Sequence, residues 1–376
     1  MARKSIFILI DALGWEKVCE TDFLPELSAT RRRLRCVLGY SGACQSALFS
    51  GKSPAQTGRW LMYYFTRRTE TFAPTRILNY FPDWVKNRGP IRRRLRNYVA
   101  RRVGGYFSLY CVPMEVFPHL ELAEREDLYA PGGLAPARGI FDDLKDSGVP
   151  HSVWSWRIPE QESLDILLRE LHEDQKRFFV VYWTRLDALM HVHGVGSEIV
   201  DRQVRWYEDA IRRILETSSP DGETRLFIFS DHGMIDTRSS IDLMAQVTGL
   251  GLTFGKDYVA FYDSTMARFS FRTDRGRDAI CSMLRAQDGG ELLDDETLKS
   301  LGVFYPDRRY GDAVFLTQPG VLIVPSFMGP SAPKAMHGFH PDCPGSDAHL
   351  VSNAEVGMPA DSILDLYSIM KQELSG

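Results

Sequence analysis

No stretch of the 376 residues approaches the ~18 uninterrupted apolar residues at which a membrane-spanning helix becomes plausible. The first apolar run, Ile6 to Ile10, meets Asp11 at once and is too short for a secretory signal, so the sequence is read as that of a cytoplasmic protein. There is no C-x-x-C pair: Cys19, Cys36, Cys44, Cys111, Cys281 and Cys343 are scattered, which argues against a disulfide framework and a zinc ribbon. Nor is there a surplus of one charge. Against 49 acidic residues stand 45 basic ones, a net charge of -4, so no global field advertises nucleic acid as a partner. Internal repeats, low-complexity tracts and long linkers are likewise missing, and the economical reading is one domain over residues 1–376.

What is present is a set of short apolar runs rich in β-branched and aromatic residues: Ile6 to Ile10, Phe178 to Trp183 and Leu226 to Phe229. Continuous runs of this length suit central strands buried on both faces. Between them lie helical patterns. From Ser197 to Leu215, apolar residues at Val200, Val204, Tyr207, Ile211 and Ile214 keep a helical period, with Ser197 as the expected N-cap. Alternating strands and helices predict an α/β layered fold.

Each of the three runs is followed by a carboxylate: Asp11 directly, Asp187 a few residues on, and Asp231 with His232 just after the third. Ligands of open α/β sheets gather at the carboxyl ends of strands, so these groups are expected to converge on one crevice. Carboxylates brought together repel unless a cation holds them or their pKa values rise. A single Asp after a strand would read as a turn or cap residue. The histidines favour the cation: His191 stands four residues after Asp187, His232 is adjacent to Asp231, and His337 and His340 flank Gly338 and Phe339. Imidazole plus carboxylate without cysteine fits zinc or a similar divalent ion.

Five segments in this order, ILIDALGW, GYSGACQSALFSGKSPAQTG, DALMHVHG, SDHGM and MHGFHP, resemble the alkaline phosphatase superfamily and, within it, the type I phosphodiesterase/nucleotide pyrophosphatase branch. The resemblance spans nearly the whole chain. It implies a three-layer α/β/α sandwich around a mostly parallel sheet, and two divalent metal ions, zinc or alternatively manganese, about 4 Å apart. Asp187, His191 and His337 would bind one ion; Asp11, Asp231 and His232 would bind the other, with the oxygen of the nucleophile as a further ligand. His193 and His340 fall outside the ligand pattern. The family places its nucleophile nine residues before a Thr-Gly or Ser-Gly step followed by a proline; Ser50-Gly51 and Pro54 set that frame here, and nine back is Ser41, with Ser46 as the fallback. Gly39 is expected to permit a tight turn into a helix starting near Gly42, whose N-terminus would face a phosphate oxygen. Where nucleotide-cleaving relatives carry an Asn, this chain has Cys44, so Cys44 and Gln45 become the candidate substrate contacts. The Cys44-Gln45-Ser46-Ala47-Leu48 run lacks the Pro and Arg that a sulfatase would need.

The implied activity is a metal-dependent phosphodiesterase or nucleotide pyrophosphatase acting through a phospho-serine intermediate. A phosphomonoesterase or phosphonate hydrolase is the nearest alternative, and a non-catalytic binder of anionic lipid or polyphosphate on the same scaffold is the alternative from another class. Residues 59–136 look like an inserted cap: Trp60 to Phe65 is largely aromatic, and Lys86 to Arg102 carries eight basic residues and no acidic one. Such a charge run is commonly a solvated helix face; it would also suit a large phosphorylated or lipid-linked substrate or an anionic membrane surface, and suits nucleic acid less. Aromatic residues there would wall the second ester group of a diester. A second, smaller insertion is expected at 248–324, with Gly311 and Asp312 forming a turn.

Overall fold

The computed structural model describes residues 3–78, 80–82, 86, 88–173, 175–217 and 224–375. The chain forms two compact units, one from residues 1–57, 129–236 and 333–376, the other from 58–128 and 237–332.

The first unit is built on a six-stranded sheet: β1 (Lys4–Ile10), β2 (Thr30–Leu34), β3 (His151–Trp154), β4 (Phe178–Trp183), β5 (Thr224–Phe229) and β6 (Ala348–Ser352). Their spatial order is β2-β6-β5-β1-β4-β3. β1 pairs in parallel with β4 and β5, β3 pairs in parallel with β4, and β6 runs antiparallel to both of its neighbours. The mostly parallel sheet expected from the sequence is therefore present. The three runs that end in carboxylates are its three adjacent central strands, which is why every residue of β1 and β4 is buried.

Alternate residues of β1 serve the two outer layers. Ile6, Ile8 and Ile10 join one core with Leu164 and Leu167 of the Glu160–Glu173 helix and Val200, Val204, Tyr207, Ile211 and Ile214 of the Glu198–Thr217 helix. Phe7 points the other way and stacks between Phe178 and Phe227, with ring centroids 4.9 and 4.7 Å away. Each such fully buried side chain contributes about 1.5–3 kcal/mol of apolar transfer free energy. The helix predicted after Ser197 is found at Glu198–Thr217 with all five predicted apolar positions buried. Ser197 occupies the N-cap position, its carbonyl accepting from the Asp201 N–H, but its hydroxyl donates backwards to the Gly194 carbonyl. Edge strand β2 carries Arg31, Arg32 and Arg33 in succession, charges that discourage pairing with another chain along its outer edge.

The second unit holds a four-stranded antiparallel sheet in the order Tyr258–Tyr262, Met266–Phe271, Ala313–Thr317, Gly290–Leu293. Trp60, Tyr63 and Phe65 are buried there, and Tyr63 packs with Phe72, Phe117 and Phe261. The aromatic stretch read as a substrate wall is thus largely core, because two segments far apart in sequence supply the apolar partners it needs. In the Gly89–Ala100 helix, Leu95 and Val99 face inward while Arg93, Arg94 and Arg96 are exposed. The Gly311 N–H closes a turn on the Arg308 carbonyl at 2.9 Å, while the Asp312 side chain accepts from the Phe271 N–H, 41 residues away, at 2.8 Å. Among the described residues, no helix is long and apolar enough to cross a membrane.

Candidate metal centre

Parallel pairing fixes where the carboxylates fall. Ile10 is level with Trp183, and Leu9 with Phe229, so β1, β4 and β5 end at nearly the same height. Asp11 follows immediately, its N–H donating to the Trp183 carbonyl at 2.9 Å. The next residue, Ala12, has a left-handed backbone (φ 63°), which a non-glycine residue adopts only at some cost, and its N–H lies 3.4 Å from Asp231 Oδ1. Asp187 sits in the first turn of the Arg185–His193 helix, and His191 is one turn on, on the same face. His337 arrives from a distant part of the chain. Ala335 and Met336 pair antiparallel with Asp236 and Ile235, which brings His337 against His232 with the rings stacked at 3.8 Å.

Two glycines are needed for this arrangement. Gly39 (φ 148°) makes the turn that precedes the Ser41–Leu48 helix, so that Ser41 is the first residue of that helix. Gly233 directly follows His232, and a Cβ there would lie 2.2 Å from the Gly345 carbonyl oxygen.

Ring hydrogen bonds set the direction of the imidazoles. His232 Nδ1 is 3.0 Å from the Gly233 carbonyl and His191 Nδ1 is 2.8 Å from the Ala335 carbonyl. A carbonyl only accepts, so each Nδ1 carries a proton and the neutral ring turns its Nε2 lone pair inward. His232 Nε2 then lies 3.0 Å from Ser41 Oγ, 3.4 Å from Asp11 Oδ1 and 3.5 Å from Asp231 Oδ2. His191 Nε2 and His337 Nε2 lie 3.3 and 3.5 Å from Asp187 Oδ1.

Electrostatics divides the cluster. Burial, then the charges of Asp231 and Asp187, push the Asp11 carboxyl well above its ordinary range. Asp187, although burial pushes it upward, is held below that range by its hydrogen bond and charge interaction with His191, whose own pKa rises against its burial for the same reason. Burial, together with His232, drives His337 well below the usual histidine value.

The residues fit a cation. Donor atoms of Asp187, His191 and His337 fall within 4.8 Å of one another, and so do those of Asp11, Asp187 and His232. Asp11 Oδ1 is buried with no hydrogen-bond partner among the described residues, although it faces an imidazole lone pair. Inward lone pairs facing bare carboxylate oxygens are repulsive unless positive charge lies between them. Asp187 belongs to both groups, a sharing the sequence did not suggest. Asp231 borders the second group, and its oxygens accept from the N–H groups of Ala12 and His232 and from the Gln45 amide.

The structure therefore brings together all seven residues expected at the centre: Asp11, Ser41, Asp187, His191, Asp231, His232 and His337. Ser46 is fully buried, with a hydroxyl that has no hydrogen-bond partner among the described residues, the cluster included. Cys44 is fully buried, its thiol 3.7 Å from the Val37 carbonyl and pushed well above its ordinary pKa by burial. Gln45 is buried too, with its amide nitrogen 2.6 Å from the Tyr182 hydroxyl and 3.2 Å from Asp231 Oδ2. Tyr182 and Tyr129 were not recognised from the sequence. A hydroxyl near the carboxyl end of an otherwise apolar central strand was the available signal for Tyr182.

The fold is that of the alkaline phosphatase superfamily. The profile described as type I phosphodiesterase / nucleotide pyrophosphatase matches residues 5–340, and the chain belongs to that family. It is accordingly a hydrolase acting on phosphoester bonds. Murine ectonucleotide pyrophosphatase/phosphodiesterase 5 is similar in structure, with a TM-score of 0.70 at 12% identity over 99% of this chain and 95% of that one. The human protein of the same name gives 0.69 at 13% identity with the same coverage. An inactive form of the murine protein in complex with AMP gives 0.69 at 12%, again over 99% and 95%. Identities this low speak to the fold alone. No curated protein sequence matches the chain at a significant level.

Proposed function

We infer that the enzyme is a metal-dependent phosphodiesterase or nucleotide pyrophosphatase in which Ser41 is the nucleophile and passes through a phospho-serine intermediate. The observation that carries this reading is Ser41 Oγ 3.0 Å from His232 Nε2, the ring's other nitrogen being engaged by the Gly233 carbonyl. A hydroxyl at the first residue of a helix, next to inward imidazole and carboxylate donors, is placed for attack on a phosphoryl group. Asp187, His191 and His337 would hold one divalent cation, and Asp11, Asp231 and His232 the other, with zinc the metal that suits the donor set and manganese the alternative. Bound there, the cations supply Lewis acidity that favours the serine alkoxide and offsets phosphoryl charge.

In the first step Ser41 Oγ bonds to phosphorus while the bond from phosphorus to the leaving oxygen breaks. In the second, a water oxygen bonds to phosphorus, the Ser41 Oγ–phosphorus bond breaks, and Ser41 regains a proton. N–H groups at the start of the Ser41–Leu48 helix face the phosphoryl oxygens during both. Membership of the phosphodiesterase/nucleotide pyrophosphatase family supports a diester over a monoester or phosphonate, and the AMP bound to a structural neighbour suits a nucleotide-type substrate. The test is hydrolysis of bis-p-nitrophenyl phosphate against p-nitrophenyl phosphate by metal-stripped protein with zinc or manganese restored. Faster metal-dependent diester cleavage supports the reading; faster monoester cleavage replaces it with a phosphatase.

A second reading concerns the other unit. Exposed Arg88, Arg93, Arg94, Arg96, Arg101 and Arg102 occur in the same sequence region as Ile77, Tyr80 and Phe81, which are 65%, 90% and 48% exposed. Basic groups with protruding apolar side chains suit anionic lipid headgroups, and with them a lipid-linked substrate. Sedimentation with phosphatidylserine vesicles that weakens at high salt supports it; no sedimentation at low salt removes it.

A further inference from the structure

We propose that Tyr182 and Gln45 are positioning residues that orient the carboxylates of Asp11 and Asp231 for the second cation. This rests on reading the cluster as a cation centre. Four hydrogen bonds form one directed chain. The Tyr129 hydroxyl donates to Gln45 Oε1 at 3.0 Å. The Gln45 amide nitrogen donates to the Tyr182 oxygen at 2.6 Å and to Asp231 Oδ2 at 3.2 Å. The Tyr182 hydroxyl, with its single proton, donates to Asp11 Oδ2.

Every donor in this chain meets an acceptor, and only one orientation of the Gln45 amide allows it. Flipped, its oxygen would face Asp231 Oδ2 and a tyrosine whose proton is already given to Asp11. Stacking of the Tyr129 and Tyr182 rings, 5.6 Å apart and 13° from parallel, holds the two hydroxyls in place.

The consequence falls on the ligands. With Oδ2 of Asp11 engaged by Tyr182, only Oδ1 is presented toward His232 Nε2, so Asp11 is set to bind through one oxygen. Asp231 Oδ1 accepts from two backbone N–H groups, and Gln45 fixes the rotation of its carboxylate by holding Oδ2. Among the described residues, Asp187 is met instead by the imidazoles of His191 and His337. Hydrogen-bonding partners behind metal ligands typically change metal affinity by about 10–100-fold when removed.

The test uses the full-length protein, stripped by a chelator and titrated with zinc against a chromophoric competitor. Wild-type protein is expected to take up two ions. Tyr182→Phe, which leaves Asp11 Oδ2 bare, is expected to keep one ion at wild-type affinity and weaken the other roughly 10–100-fold. Gln45→Leu should weaken the same ion. Tyr207→Phe is the structural control: it removes a buried hydroxyl that donates to Glu160 at 2.9 Å, and should lower Tm while leaving both zinc affinities unchanged. Wild-type affinity for both ions in Tyr182→Phe, or an equal loss at both, overturns the proposal. Uptake of no ion by the wild-type protein overturns the cation-centre reading itself, and the proposal with it.

Discussion

The two halves of the centre are made differently. Asp187, His191 and His337 form a group in which one carboxylate meets two imidazoles, Asp187 and His191 come from successive turns of one helix, and those two side chains are partly exposed. Asp11, Asp231 and His232 form a group in which two carboxylates meet one imidazole, all three side chains are buried, and two different strands supply them. The first group sets two imidazoles against its one carboxylate and holds Asp187 below its ordinary range. The second does not, and it is propped instead by Tyr182, Gln45 and the backbone of Ala12. The lesson is that neighbouring cation positions in one crevice need different support. A helix turn suffices where charges cancel, while a buried excess of carboxylate needs donors fixed by the core.

The sharpest way to break this contrast is the residue that belongs to both halves. Asp187→Asn is expected to lower uptake at both positions and to reduce diester hydrolysis by roughly 10³-fold or more, whereas Asp11→Asn should cost a single ion. Zinc stoichiometry on the two purified variants decides it. Next in size is Gly233→Ala. Its new Cβ would press on the Gly345 carbonyl, so the His232 segment must shift, at about 1–3 kcal/mol or more of stability. Activity should fall far more than with Gly148→Ala, a left-handed position where a Cβ meets nothing. Chemical denaturation and turnover of both variants separate strain from steric clash.

A smaller effect concerns pH. His349, buried in β6 with Nδ1 2.6 Å from the Leu13 carbonyl, is pushed down to about 3 by burial. Its folded pKa lies below the ordinary value of about 6.5, so its contribution is fully present above that pH and is lost as pH falls toward 3. From pH 6.5 to 5 the loss is about 2 kcal/mol from this residue. Urea titrations of metal-stripped wild type and His349→Asn should show the shallower decline in the variant. The smallest effect is Ser197→Ala, at the helix just after His191. Because the hydroxyl donates to Gly194 instead of capping the helix, the loss should stay below the roughly 1 kcal/mol of a true N-cap, as read by Tm.

The sequence was most readable where structure is local or continuous. β1 and β4 are buried on both faces, so they read as unbroken apolar runs, and the residues ending them announced the crevice. Asp187 and His191 are four apart on a helix, a spacing that survives any tertiary detail. Choosing His337 over His340 needed family resemblance, since its place depends on the Ala335–Met336 pairing with Ile235–Asp236 about a hundred residues earlier. Tyr129, Gln45 and Tyr182 gave no joint signal, because their hydrogen bonds span 84 and 137 residues. β2 escaped notice because three arginines erase its alternation, and the aromatic run at Trp60 looked like a binding wall because its core partners come from the far side of residue 237.

Strand β6 carries a consequence for the newborn chain. Among the described residues, the partner of residues 30–34 in the sheet is β6, which emerges more than three hundred residues after them. The same late stretch delivers His337. A nascent chain therefore carries its serine and most of its ligands long before the sheet can close around them, and competence for hydrolysis waits for the residues from His337 to Ser352.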